Sequence, residues 1–123
     1  MEPGTAIIGG KQTWSMLDGG MAFRPETETQ KALSSEIGLM RYEAICHFLI
    51  DGDYKADHQN DFAGAYLEYA NAWSMLVTAK ARQLSGLGLL NTIADFAARS
   101  GDSKLIAEAN ELVVAFREET EEQ

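Results

Sequence analysis

The sequence predicts an all-α protein, a small bundle of four or five helices that follows an irregular, glycine-rich N-terminal arm. Three observations support this fold class. Large apolar side chains recur at the three- and four-residue spacing of amphipathic helices. Only two prolines interrupt the 123 residues. No run shows convincing strand alternation beyond residues 6–8. A chain of this length buries roughly two-thirds of the surface that its unfolded form exposes, so one core is sufficient.

Composition limits the classes of function. The net charge of −9 opposes direct nucleic-acid binding, because affinity for a phosphate backbone comes mainly from Lys and Arg. The single cysteine, Cys46, cannot form an intrachain disulfide. A phosphate-binding loop is excluded, because Thr5 stands where its first glycine belongs and Gln12 follows Lys11. No segment has the roughly 18 consecutive apolar residues of a membrane span. We therefore expect a cytoplasmic protein without a cofactor or a membrane partner.

Residues 1–24 form the predicted arm and differ from the rest of the chain. Glycine pairs at 9–10 and 19–20 separate apolar pieces that are too short to be stable helices. These pieces carry four large apolar side chains: Trp14, Met16, Leu17 and Phe23. Leaving that surface in water is unfavourable at about 25 cal/mol per Å². We therefore expect the arm to pack on the bundle or on a second subunit.

The bundle is predicted to occupy residues 25–117. Its first helix begins near Pro25, where Thr27 and Gln30 offer a capping box, and ends at Gly52. Apolar side chains cover most of its circumference, which is typical of a helix that is central in a bundle or lies at a subunit interface. An acidic connector, residues 51–57, follows, and Asp57 or Asp61 favours the start of the next helix.

Residues 57–85 are predicted to form a helix with an aromatic stripe. Six large side chains share one arc of it: Phe62, Tyr66, Tyr69, Trp73, Leu76 and Val77. After a break at 85–88 comes a shorter helix, with Gly101 placed to end it and Asp102 to cap the next. The last helix carries Leu105, Ala109, Leu112 and Phe116 on one face. Residues 118–123 form an acidic tail whose four carboxylates oppose the helix dipole.

The first long helix also carries the best candidates for chemistry. Glu43 and His47 are four residues apart and therefore neighbours on a helix, and Asp51 extends the set to a metal site for a small hydrolase. A di-metal bundle, however, needs Glu and His three residues apart on more than one helix. The spacing from Arg41 to His47 resembles that of small all-helical ribonucleases of the HEPN type. In that family the pair comes late in the chain with a polar residue after the Arg, whereas here it comes early and Tyr42 follows.

The HEPN resemblance implies a specific mechanism. The pair would work across a dimer groove, where Arg41 would stabilise phosphate charge and His47 would transfer a proton. Together the alternatives are a metal-dependent hydrolase that uses Glu43, His47 and Asp51, and a ribonuclease that uses Arg41, Glu43 and His47.

The leading functional interpretation is a non-enzymatic, acidic protein-protein interaction module: an adaptor, regulator or inhibitor. Two helices carry more apolar surface than a small monomer easily hides, and a two-fold homodimer is the commonest way to bury it. The acidity also allows a basic protein partner or a decoy role towards a nucleic-acid-binding protein. The expected interface residues are Trp14, Met16, Leu17, Phe23, Leu39 and Tyr42.

Overall fold

The computed structural model describes Pro25 and residues 27–121, so the predicted arm lies outside the described residues. Six helices are present there: α1 (Glu28–Ile37), α2 (Leu39–Gln59), α3 (Phe62–Ser74), α4 (Ala79–Ser85), α5 (Leu87–Ser100) and α6 (Ser103–Glu121). The described residues contain no strand, and none of their helices is both long and apolar enough to cross a membrane. The all-α prediction is confirmed. The count differs from four or five because two predicted helices are each divided.

The predicted helix from Pro25 to Gly52 is divided at Gly38. Its start is as expected: Thr27 Oγ1 accepts a hydrogen bond from the Gln30 amide at 3.0 Å, and Gln30 Oε1 accepts from the Thr27 amide at 3.1 Å. Gly38 then adopts φ +94°, a conformation that favours glycine, and donates its amide to the Ser34 carbonyl. Helix α2 begins at the next residue, Leu39.

The prediction that Gly52 ends this helix is wrong. Gly52 lies buried within α2, and the predicted acidic connector is helical up to Gln59. A Cβ atom at position 52 would lie 2.6 Å from Cδ1 of Tyr69 and 3.3 Å from the Ala65 carbonyl oxygen. The glycine therefore allows α2 and α3 to approach closely. Asp61, as predicted, starts the next helix, and its Oδ1 accepts from the Gly64 amide at 2.8 Å.

The predicted helix over residues 57–85 is also divided. Helix α3 ends at Ser74, and Thr78 Oγ1 caps α4 by accepting from the Ala81 amide at 3.0 Å. Because the helix is interrupted, Leu76 is buried while Val77 is half exposed, so Val77 does not continue the stripe. The later boundary is confirmed: Gly101 ends α5 in the left-handed conformation, and Asp102 Oδ1 accepts from the Lys104 amide.

Helix α3 is the centre of the packing. It contacts both α2 and α5, while α6 packs on α5, and α1 packs on α2 and α4. Tyr66, Tyr69 and Trp73 are buried, which confirms the predicted aromatic stripe for these residues. The Tyr69 ring meets the Phe96 ring edge to face at 5.0 Å, and Trp73 meets Phe116 in the same way at 5.6 Å. Such pairs stabilise a core beyond the area that they bury.

Candidate functional site

One side of α2 is left uncovered by the other described helices. Five exposed residues form this surface, called the outer α2 face: Met40, His47, Asp51, Tyr54 and His58. Their spacing of seven, four, three and four residues places them in one row along a helix of 21 residues, which is about 31 Å long. Met40 is 86% exposed and Tyr54 55%. The chain's two histidines both lie on this row, and the centroids of the Tyr54 and His58 rings are 4.9 Å apart.

The candidate catalytic and metal-binding residues all lie along α2. Arg41 is exposed and its Nη1 donates to the Ile37 carbonyl at 3.2 Å. His47 lies six residues further on, about 120° around the helix from Arg41. No three His, Cys, Asp or Glu side chains among residues 27–121 are arranged to hold a metal ion, and this includes Glu43, His47 and Asp51. The described residues of one chain thus give the metal-dependent hydrolase no cluster of three metal-ligating side chains.

The predicted interface residues fall into three groups. Trp14, Met16, Leu17 and Phe23 lie outside the described residues. Leu39 is half exposed at the start of α2, beside Met40. Tyr42 is only 1% exposed, because it lies about 200° around α2 from Met40 and faces the chain's own core. Because Tyr42 is buried, it is not part of the expected interface. Leu39 remains, in an exposed corner formed by Gly38, Leu39 and Met40 that is called the α1–α2 corner.

A second candidate site is a cavity of about 280 Å³ between α3, α4 and α6, called the α6 cavity. Six residues line it: Trp73, Arg82, Leu112, Ala115, Phe116 and Glu119. The rings of Trp73 and Phe116 form an apolar part of the cavity wall. Arg82 and Glu119 pair through two hydrogen bonds, from Nε to Oε1 at 2.9 Å and from Nη2 to Oε2 at 2.7 Å. This part of the predicted acidic tail is therefore helical and contacts the bundle.

The charged pair beside the α6 cavity is already satisfied. Besides bonding Glu119, Arg82 donates Nη1 to the Leu76 carbonyl at 2.7 Å, so each of its three nitrogens has a partner. The hydrogen bonds from Arg82 lower the pKa of Glu119, and the same bonds raise the pKa of Arg82. The pair is a structural link from α4 to α6 rather than an open receptor for an anion.

The buried ionisable groups are not activated for chemistry. Burial raises the pKa of Cys46 to about 12, and burial with the nearby Glu108 carboxylate raises that of Tyr66 to about 12. Burial and the Asp53 carboxylate likewise raise the pKa of Tyr69, whose hydroxyl donates to Asp53 at 2.5 Å. All three groups are protonated at neutral pH, so none of them offers a thiolate or phenolate nucleophile.

The chain was compared with protein-family models, curated proteins and solved structures, and none of the three comparisons gave a match.

Proposed function

We propose that the chain is a non-enzymatic protein-binding module that forms a two-fold homodimer through the outer α2 face and the α1–α2 corner. The observation that carries this proposal is the exposure of Met40 and Tyr54 in one row along a complete helix, with Leu39 beside them. Large apolar side chains exposed in a row on one helix are typical of a surface that receives another helix.

The order of residues on this face favours a second copy as the partner. Consider a two-fold dimer in which the two α2 helices run antiparallel and cross near Leu49, the midpoint of α2. A residue before the midpoint then faces the residue of the second copy that lies equally far after the midpoint. His47 then faces Asp51 of the second copy, and Met40 faces His58. Tyr54 comes close to Glu43, whose carboxylate accepts hydrogen bonds. The row is therefore complementary to itself in spite of the net charge of −9.

The size of the surface predicts a reversible dimer. One helix face and a corner offer less than the roughly 800 Å² per partner that is usual in stable complexes. We therefore expect dissociation to be measurable in the micromolar range. The chain's acidity favours a basic helical protein as a further partner for the same face.

Sedimentation velocity over a range of protein concentrations tests the proposal. We expect the whole chain to pass from monomer to dimer. We expect Met40→Glu to weaken the dimer by about tenfold or more, because it removes the most exposed apolar side chain of the face and requires a carboxylate to lose its water. Leu67→Glu is the matched control. Leu67 is 56% exposed on α3 and lies off the face, so this change should leave the dimer unaffected.

A chain that stays monomeric at every concentration would refute self-association. Equal effects of Met40→Glu and Leu67→Glu would refute the assignment of the interface to the outer α2 face. Far-UV circular dichroism of both variants checks that they fold.

A further inference from the structure

Two side chains that bind transition-metal ions lie beside the midpoint of the outer α2 face. His47 and Asp51 are four residues apart, so they are neighbours on one side of α2, and both are exposed. The same spacing brings two histidines to one zinc ion in the helical His-Glu-x-x-His motif. Imidazole and carboxylate are both ligands that Zn²⁺ accepts. One chain therefore offers part of a zinc site here.

One chain does not complete this site. Within residues 27–121 of one chain, no third His, Cys, Asp or Glu side chain joins these two to hold a metal ion. Glu43 also neighbours His47 on the helix, but it lies six residues before Leu49, whereas His47 and Asp51 lie two residues on either side of Leu49. A structural Zn²⁺ ion takes four ligands, so the remaining two have to come from a second molecule.

The two-fold dimer of the outer α2 face supplies these ligands, and the inference rests on that proposed dimer. When antiparallel α2 helices cross near Leu49, the two-fold axis passes between His47 and Asp51 of each copy. With a rise of about 1.5 Å per residue, each of the two residues lies about 3 Å from the crossing along the helix. We propose that one Zn²⁺ ion binds on this axis, held by His47 and Asp51 of both copies.

Charge favours a divalent cation at this position. The two Asp51 carboxylates carry two negative charges that Zn²⁺ neutralises, while the imidazoles bind as neutral ligands. Each copy has a net charge of −9, so two copies repel each other as they associate. A cation on the two-fold axis lowers this repulsion where the helices cross. Zinc binding and dimerisation should therefore strengthen each other.

The ligand set also indicates which ion binds and what it does. Two imidazole nitrogens favour Zn²⁺ over Mg²⁺ and Ca²⁺, which take oxygen ligands. Four protein ligands leave no open position for water, as in structural zinc sites. The ion therefore links the two copies rather than catalysing a reaction.

Sedimentation velocity of the full-length chain at neutral pH, in a chelator and in zinc chloride, tests the proposal. With free zinc at about ten times its dissociation constant for the dimer, the dissociation constant of the dimer should fall by about tenfold relative to the chelator. Equilibrium dialysis should then find one zinc ion per two chains.

His47→Ala and Asp51→Asn are the test variants. By symmetry each removes two of the four ligands, so each should abolish most of the zinc effect. His58→Ala is the matched control, because His58 is the chain's other histidine and is exposed on the same face nine residues beyond Leu49. The measured quantity is the ratio of the dimer's dissociation constants with and without zinc, which His58→Ala should leave at about tenfold. Circular dichroism checks the fold of each variant.

The outcomes separate the zinc site from the dimer. Equal dissociation constants in zinc and in the chelator would overturn the zinc site and leave the dimer standing. A zinc effect of the same size in His47→Ala and His58→Ala would overturn the assignment to His47. A chain that dimerises only in zinc would support the site and overturn the metal-free dimer, and a chain that stays monomeric in both would overturn both proposals.

Discussion

Helix α3 and the outer α2 face both carry aromatic side chains at helical spacing, yet their surroundings are opposite. Tyr69 on α3 is 6% exposed, whereas Tyr54 on α2 is 55% exposed. The Tyr69 ring meets Phe96 of α5, and its hydroxyl donates to Asp53 of α2. The Tyr54 ring instead contacts the tilted ring of His58 on its own helix. Helical spacing thus shows that a helix has an apolar side, but not whether the group covering that side belongs to the same chain.

The polar partners sharpen this contrast. Each buried tyrosine of α3 has a carboxylate from another helix, Asp53 for Tyr69 and Glu108 for Tyr66. A buried hydroxyl without such a partner is costly, so these bonds favour one arrangement of α2, α3 and α6. The outer α2 face carries groups of the same kinds, and in the proposed dimer they would lie against the same face of a second copy.

The largest expected difference between the two regions is in stability. Trp73→Ala should lower the free energy of unfolding by about 3–5 kcal/mol, because it removes a buried ring that packs on Phe116. Tyr54→Ala should change it by no more than about 0.5 kcal/mol in dilute solution, as is usual for exposed positions. Urea unfolding measures both. A comparable loss in the two variants would show that the outer α2 face is part of the monomer's core.

A smaller effect is expected where the two helices touch. Gly52→Ala should destabilise the chain by about 1 kcal/mol, since the new methyl group clashes with the Tyr69 ring at a cost of about 1–3 kcal/mol. The better helix propensity of Ala returns up to about 1 kcal/mol of that. In a Tyr69→Leu background, which removes the ring, the same change should become neutral or stabilising. If Gly52→Ala stabilised the wild-type chain, the close approach of α2 and α3 would be contradicted.

The sequence predicted features of the fold that depend on neighbouring residues. The capping box of Thr27 and Gln30, the cap at Asp61 and the turn at Gly101 all depend on residues within one turn of each other. The two glycines of the first predicted helix were harder to assign. Gly38 interrupts the helix and Gly52 allows close packing, and a local pattern does not separate these roles because both need only the missing Cβ.

The candidate sites were less accessible to sequence reasoning. In an uninterrupted helix Met40 shares a stripe with Leu33 and Ile37. Gly38 is not helical, so this stripe does not continue into α2, and Met40 is exposed while Leu33 and Ile37 are buried. The seven-residue spacing of Met40, His47 and Tyr54 is the feature of the sequence that could have indicated the outer α2 face. The α6 cavity could not be predicted from a local sequence pattern, because residues that line it, such as Arg82 and Glu119, are 37 residues apart in the chain.

Hydroxyl-radical footprinting over a range of protein concentrations tests the central contrast most directly. We predict that Tyr66, Tyr69 and Trp73 are protected at all concentrations. Met40 and Tyr54 should be oxidised rapidly in dilute solution and become protected in step with the formation of dimers. Oxidation of Met40 and Tyr54 that does not change with concentration, or rapid oxidation of Trp73 in the folded chain, would contradict the account.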